Sequence, residues 1–307
     1  MKILIAYDGS ADGDESLNDL NLAGLPDKAE VLVLSIAVPW VNTELGGDPG
    51  NFYGGPTLSD GGMNRFNKKA KAEAEVLAKR ARNHLESKFP LWKVKTSAEL
   101  DFPAQGILKK ADTWKPHLII LGSHGHSALG RILLGSVSQK ILHHSHTCVR
   151  INRGRVRSEK IPPRLLVGID GSEDSNLVIH EIATRKWPPG TKVRLVAVTN
   201  NGVLLEKILR SPHGKGLTQF ETAKAAWIEK KLMEASDKLR EKGLHVNTTI
   251  LTGDPRKVLL KKAADWRVDC IFIGCRGLNG FARFLLGSVS STVASHAPCT
   301  VEVIREK

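Results

Sequence analysis

The seventeen residues GSHGHSALGRILLGSVS (Gly122–Ser138) return further along the chain as GCRGLNGFARFLLGSVS (Gly274–Ser290), with nine identities at an offset of 152. An earlier stretch, LIAYDGSAD (Leu4–Asp12), returns as LVGIDGSED (Leu166–Asp174) at an offset of 162. Two separated segments repeating in the same order mean that one structural unit is written twice. Ile36 still pairs with Val198 at 162, whereas Pro103 pairs with Pro255 at 152. The ten extra residues of the first copy therefore lie between Ile36 and Pro103, and the glycine-rich stretch Asn42–Gly62 is their expected place.

Within each copy, short apolar runs alternate with longer segments of helical period. In the first, KILIAY, VLVLSIAV, KVKTSAEL, HLIILG and CVRI read as strands. Asp12–Leu25, Met63–Lys88, Pro103–Trp114 and Ser136–His144 read as helices. The second copy repeats the order, from LLVGID through a long helix at 216–242 to CTVEVI. Strands of this length alternating with helices predict a parallel sheet covered on both faces. Right-handed crossovers then give a doubly wound α/β fold with ligand sites at the carboxyl ends of the strands. The segment RGRVRSEKIPP (Arg153–Pro163) has charges, two prolines and no apolar period, and reads as a linker. The expected organisation is two tandem domains, 1–152 and 164–307, each with a five-stranded parallel sheet flanked by helices.

The 307 residues include 45 Lys and Arg against 32 acids, for a net charge of +13. Residues 1–152 contribute only +2, the linker +3 and residues 164–307 +8. Along the long helices, Lys68, Lys69 and Lys71 are interleaved with Glu73 and Glu75, and Lys230 and Lys231 with Glu229 and Glu234. That pattern is a solvated face, and with only 5% aromatic residues it argues against nucleic-acid recognition. No run reaches the ~18 apolar residues of a membrane span, and MKILIAYDGS enters a strand without the features of a signal peptide. A cytoplasmic location and no membrane partner are expected. The four cysteines, Cys148, Cys270, Cys275 and Cys299, form no CxxC pair, which fits a reducing compartment.

After the fourth strand the chain reads Gly122-x2-Gly125-x9-Gly135-Ser136, and again Gly274-x2-Gly277-x9-Gly287-Ser288. Glycines at a strand exit allow positive φ and close approach of a ligand to the backbone. A helix opening with Gly-Ser leaves amide N–H groups and the positive dipole end toward the cleft, the geometry that holds phosphate. The hydroxyls of Ser136, Ser138, Ser288 and Ser290 can cap these helices or bond a phosphate oxygen. At the end of the first strand, Asp8 and Asp170 are each followed by Gly-Ser. Each can accept a hydrogen bond from a ribose or base, or hold Mg²⁺ beside phosphates; starting the next helix is the structural alternative. The loops differ in charge, Ser123-His124 against Cys275-Arg276. Arg276 would pair with phosphate permanently and His124 only when protonated, so unequal affinities are expected.

The element order, the Asp-Gly-Ser turns, the two glycine motifs and the closing HAPCTV (His296–Val301) together resemble the universal stress protein family in its tandem form. The resemblance covers nearly the whole chain apart from the linker and the 42–62 loop, and it implies an adenine nucleotide alpha hydrolase-like fold. The glycine motif is that of the family's ATP-binding branch, so ATP with Mg²⁺ is the implied ligand. Carried over by position, the ATP contacts are Asp8, Ile36, Leu121, Gly122, Gly125, Gly135, Ser136 and Val137. The second set is Asp170, Val198, Ile273, Gly274, Gly277, Gly287, Ser288 and Val289. Ile36 and Val198 serve equally as core residues. The first copy departs from the family's closing pattern, with His-Ser-His-Thr-Cys (His144–Cys148) in place of His-Ala-Pro-Cys, which bears on its final turn.

The resemblance also implies that the closing strands, Cys148–Ile151 and Cys299–Ile304, pair antiparallel between the two domains, as a pseudo-twofold dimer within one chain. Homodimerisation of whole chains and unidentified protein partners stay open. Two other functions compete with a regulatory, stress-response ATP-binding module: slow Mg-dependent ATP hydrolysis, and a nucleotide-free protein-interaction scaffold. His124-Gly125-His126 resembles the HxGH signature of nucleotidyl transferases but follows the fourth strand instead of the first, which argues against adenylyl transfer. The cluster His143, His144, His146 and Cys148 has metal-ligand residue types but no second Cys/His pair at zinc-finger spacing, and Cys275 reads as a lowered-pKa thiol in a glycine loop or as a buried inert cysteine. The segment Gly46–Gly62, with Phe52 and Tyr53, reads as a surface loop or a lid beside the first site.

Overall fold

The computed structural model describes residues 1–42, 54–55, 59–125, 134–153, 161–199, 219–277 and 286–306. Most of the glycine-rich loop, of the linker and of both nine-residue spacers lies outside these residues. The strands of the first half are β1 (Lys2–Ala6), β2 (Glu30–Ala37), β3 (Lys93–Leu100), β4 (Leu118–Gly122) and β5 (Cys148–Asn152). Those of the second are β6 (Arg164–Ile169), β7 (Lys192–Thr199), β8 (His245–Thr252), β9 (Cys270–Gly274) and β10 (Thr300–Ile304). The helices are α1 (Ala11–Asn18), α2 (Asp60–Lys88), α3 (Pro103–Trp114), α4 (Ser136–His144), α5 (Glu173–Thr184), α6 (Gln219–Arg240), α7 (Pro255–Asp265) and α8 (Ser288–His296). A two-residue ladder joins Val41–Asn42 to Gly54–Gly55.

The ten strands form one sheet in the order β8-β7-β6-β9-β10-β5-β4-β1-β2-β3. Each half has the doubly wound order 3-2-1-4-5 with parallel neighbours, as the alternating pattern predicts. The two sheets meet at the single antiparallel pair, β5 with β10, where Ile151 faces Val301, Arg150 faces Glu302 and Val149 faces Val303. Strand residues alternate between two cores. Ile3, Ile5, Val31 and Val33 face α1, α2, α5 and α6, while Leu4, Leu32 and Leu34 face α3, α4, α7 and α8. Both faces being covered explains why these strands read as apolar runs.

Several boundaries differ from expectation. The helix expected at Asp12–Leu25 is α-helical only to Asn18 and tightens to a 3₁₀ turn over Asp19–Leu22. Gly24 ends it at φ +65, and a Cβ there would lie 2.7 Å from the Trp187 ring of the second half, so the chain must turn at this place to admit the neighbouring half. The ten extra residues are also split between two places. Ala74, Ala78, Ala81 and Leu85 occupy the buried positions of Ile228, Leu232, Ala235 and Leu239, an offset of 154. Eight extra residues thus precede Ala74, and the other two stand at the turn before Trp92, whose buried counterpart is Leu244. The final turn of the first half is the same as that of the second despite its different residues. Ser145 (φ −73, ψ 141) and Ala297 (φ −62, ψ 141) end α4 and α8 in matching extended conformations. Among the described residues no helix is long and apolar enough to cross a membrane.

Candidate functional site

In the order 3-2-1-4-5, β1 and β4 are neighbours whose crossovers leave in opposite directions, and so are β6 and β9. A crevice opens at the carboxyl ends of such a pair. The Asp-Gly-Ser turn after β1 and the glycine loop after β4 both lie there.

The Asp-Gly-Ser turn has the same backbone-to-carboxylate bond in both halves. Asp8 Oδ1 accepts the Ser10 N–H (3.0 Å) and the Ser10 hydroxyl (2.6 Å); Asp170 Oδ1 accepts the Ser172 N–H (2.9 Å). The serines cap the following helices, Ser10 Oγ accepting from Gly13 N and Ser172 Oγ from Ser175 N. Gly9 and Gly171 sit between at φ +79 and +82, a conformation that requires glycine.

Of the two roles expected of the motif glycines, positive φ is not used. None of Gly122, Gly125, Gly135, Gly274, Gly277 and Gly287 has positive φ; each is needed for close approach. A Cβ on Gly125 would lie 2.8 Å from Asp8 Oδ2, and one on Gly277 would lie 2.8 Å from Asp170 Oδ2. The glycine loop is thereby laid directly against the first-strand carboxylate in both halves. At Gly122 and Gly274 a Cβ would strike Asp12 at 3.0 Å and Asp174 at 2.7 Å. Gly135 N donates to Ser123 O (2.9 Å) and Gly287 N to Cys275 O (2.7 Å), folding each loop back on itself.

Helices α4 and α8 begin at these last glycines, and neither has a side-chain cap. Their first amide N–H groups, at the positive dipole end, are left without a side-chain acceptor. Ser136 and Ser288 are exposed at the first helical position. Ser138 and Ser290 are buried and belong to the scaffold: their hydroxyls donate to Gly122 O (2.8 Å) and Gly274 O (2.6 Å). Neither hydroxyl caps its helix, and the proton of each is spent on this carbonyl. Leu121 and Ile273 are buried in the core, which leaves their backbone groups for a ligand. Ile36, Val198, Val137 and Val289 are partly buried against the same core.

One pair of residues escaped the sequence reading. Asp12 and Asp174, equivalent residues in the first turns of α1 and α5, anchor the loops. Asp12 Oδ2 accepts the Ser123 hydroxyl (2.7 Å) and the His124 N–H (3.0 Å), with His124 Nδ1 at 3.3 Å. Asp174 Oδ2 accepts the Arg276 N–H (2.8 Å) and the Cys275 thiol (3.1 Å), while Arg276 Nη2 donates to Oδ1 (2.8 Å). The signal was present, since both aspartates close the repeated LIAYDGSAD and LVGIDGSED. Arg276, expected to face a phosphate, is instead paired with Asp174. Burial disfavours the Asp174 charge, but the hydrogen bonds from Arg276 and Cys275 outweigh it and hold the carboxyl below its ordinary range. Burial pushes the Cys275 thiol up to about 11, helped by the hydrogen bond to Asp174, so it is an inert thiol at neutral pH.

A cleft of about 280 Å³ between α1 and α2 lies apart from this crevice. Within it Tyr7 and Arg80 both donate to Asp14.

The profile of the universal stress protein family matches residues 1–151 and 163–305. A universal stress protein of Mycolicibacterium smegmatis is 30% identical over 193 residues, covering 62% of this chain and 62% of that protein. The match thus spans less than two thirds of that relative's length. The crystal structure of a universal stress protein from Archaeoglobus fulgidus superposes with a TM-score of 0.67 at 22% identity, covering 100% of this chain and 98% of that one. A Pseudomonas aeruginosa protein described as functionally unknown superposes with a TM-score of 0.62 at 16% identity, over 99% and 92% of the two chains. At these identities the two structures speak for the fold.

Proposed function

The chain belongs to the universal stress protein family, and from that membership we propose that it binds ATP at one or both of the crevices, as a stress-response and regulatory module. The observation that supports this most is the twofold recurrence of one arrangement. In each half an uncapped helix N-terminus, at Gly135 or Gly287, opens beside a glycine, Gly125 or Gly277, pressed against a carboxylate, Asp8 or Asp170. The amides of Ser136 and Val137, or of Ser288 and Val289, are the donors for phosphate. The carboxylates of Asp8 and Asp170 suit the adenosine end, and backbone groups near Ile36, Leu121 and Gly122, or Val198, Ile273 and Gly274, flank the base and ribose.

Mg²⁺ fits this reading as a companion of the nucleotide. With Asp8 and Asp170 at the adenosine end, phosphate oxygens and water would supply its ligands, and the metal would neutralise phosphate charge. We read the site as one for binding, because among the described loop residues His124 is engaged with Asp12 and Arg276 with Asp174. The division into 1–152, a linker 153–163 and 164–307 belongs to the same proposal and is supported by the two matched segments. The four cysteines are buried and unpaired, which supports a reducing, cytoplasmic setting.

The test is calorimetric titration of the full chain with ATP, ADP and GTP, with and without Mg²⁺, alongside mass spectrometry of nucleotide retained after purification. Adenine-selective binding is the expected result, with Gly125→Val and Gly277→Val each abolishing one site while circular dichroism is unchanged. No retained adenine nucleotide and no binding at millimolar ATP would sink the proposal.

A further inference from the structure

The joint between the halves buries charge where a sheet normally buries apolar side chains. Arg150 and Glu302, 1% and 0% exposed, stand directly opposite each other on β5 and β10. Arg150 donates to Glu302 (3.1 Å) and to Asp19, and Arg185 donates to both Glu302 oxygens and to Glu181 (3.0 Å). The result is a file of alternating sign, Asp19, Arg150, Glu302, Arg185, Glu181. Its first two members come from the first half and its last three from the second. Further contacts tie the same guanidiniums into the joint: Arg185 donates to Ala23 O (3.1 Å) and lies over the Phe272 ring, and Arg150 donates to Cys270 Sγ (3.3 Å).

The repeat shows what this file excludes. At the offsets of the two copies, Asp19 corresponds to Glu181, Ala23 to Arg185 and Arg150 to Glu302. In the antiparallel pair, Val149 faces Val303, the counterpart of Ile151, and Ile151 faces Val301, the counterpart of Val149. The pseudo-twofold axis therefore passes through the Arg150–Glu302 pair itself. Had the copies kept one residue at this position, any pairing of β5 with β10 would set it against itself. A first half paired with another first half brings Arg150 against Arg150, and second halves bring Glu302 against Glu302, in both cases with like charges removed from water.

We propose that this file selects the partner of each closing strand: β5 accepts the acidic fifth strand of the second half and rejects a copy of itself, and β10 the reverse. The flanking apolar residues, Val149, Ile151, Val301 and Val303, would fit either pairing and carry no such information. The linker alone favours closure within the chain by effective concentration. The charges add a discrimination that proximity cannot supply, because they also penalise the like pairing between chains during folding and at high concentration. The surface is thus specific for the complementary half of this same chain.

The test converts one half at a time to the other's charges in the full chain. Glu302→Arg with Arg185→Ala gives both halves the first-half set, and Arg150→Glu with Ala23→Arg gives both the second-half set. Each variant alone is expected to lose hydrogen-exchange protection at 148–152 and 300–304. Mixed, they are expected to recover it in a species of twice the mass of one chain by light scattering, since every joint between the two is complementary. If a variant does not fold alone, both are unfolded and refolded together, and folded protein is expected only from the mixture. Parental protection in either variant alone, or a mixture that stays single-chain or fails to fold, would overturn the proposal.

Discussion

In the first half Asp12 holds the loop after β4 through a serine, a histidine and a backbone amide; in the second, Asp174 holds the same loop through a cysteine, an arginine and a backbone amide. The amide contact is common to both and the side-chain partners are not. What is retained is the position of a carboxylate that ties the start of one helix to the exit of a neighbouring strand. The difference is electrostatic, since the Asp174 side chain is 4% exposed beside a guanidinium while that of Asp12 is 34% exposed beside an imidazole. The extra positive charge of the second loop is thus used inside the scaffold and is not offered to a ligand. The joint shows the same division, with one arginine from the first half and an acid with its own arginine from the second.

The largest expected effect is at the joint. Glu302→Ala leaves Arg150 and Arg185 buried without their shared acid, and urea unfolding of the full chain should show a loss of about 3–5 kcal/mol. A loss near that of a surface ion pair would mean that water reaches the joint.

The next comparison is between the two anchors. Asp174→Asn should lower stability by about 2 kcal/mol, because it removes a buried, charge-assisted pair; Asp12→Asn should cost about 1 kcal/mol, its side chain being a third exposed. Equal losses would contradict the electrostatic distinction. Acid sharpens it. The folded Asp174 carboxyl titrates below the 3.8 of an ordinary aspartate, so its contribution is complete above that pH and disappears as pH falls below 3.8 through the folded value. Unfolding midpoints measured down the acid limb should fall less steeply in Asp174→Asn than in the parent chain.

The smallest effect concerns the ligand. With Arg276 neutralised by Asp174, ATP binding at the two crevices should weaken alike as salt is raised. Calorimetry on Gly125→Val, which leaves the second site, and on Gly277→Val, which leaves the first, makes the comparison. A markedly steeper salt dependence at the second site would show that Arg276 leaves Asp174 to meet a phosphate.

Much of the fold was legible because its signals are local. The strand and helix order follows from apolar period, and the doubly wound order from the right-handed crossover that short parallel strands demand. The glycine motif was legible as a place of close approach, but not with positive φ: Gly122, Gly125, Gly274 and Gly277 make room for Asp12, Asp8, Asp174 and Asp170. The 3₁₀ turn at Asp19–Leu22 was not visible because Trp187, about 160 residues away by the numbering, helps to set where the chain must bend. The split of the ten extra residues became visible only when the burial patterns of α2 and α6 could be matched.

By itself, the sequence determined that one α/β unit is written twice and that its strands are parallel and buried on both faces. Only the tertiary structure decided which charge meets which: Arg276 turns to Asp174, Ser138 to the Gly122 carbonyl, and Arg150 to Glu302 across the middle of the sheet. The reason is physical. Periodicity and turn chemistry act between neighbours along the chain, whereas a buried charge is settled by whatever opposite charge the packed sheet places within hydrogen-bonding reach, and here those partners lie 102 and 152 residues apart.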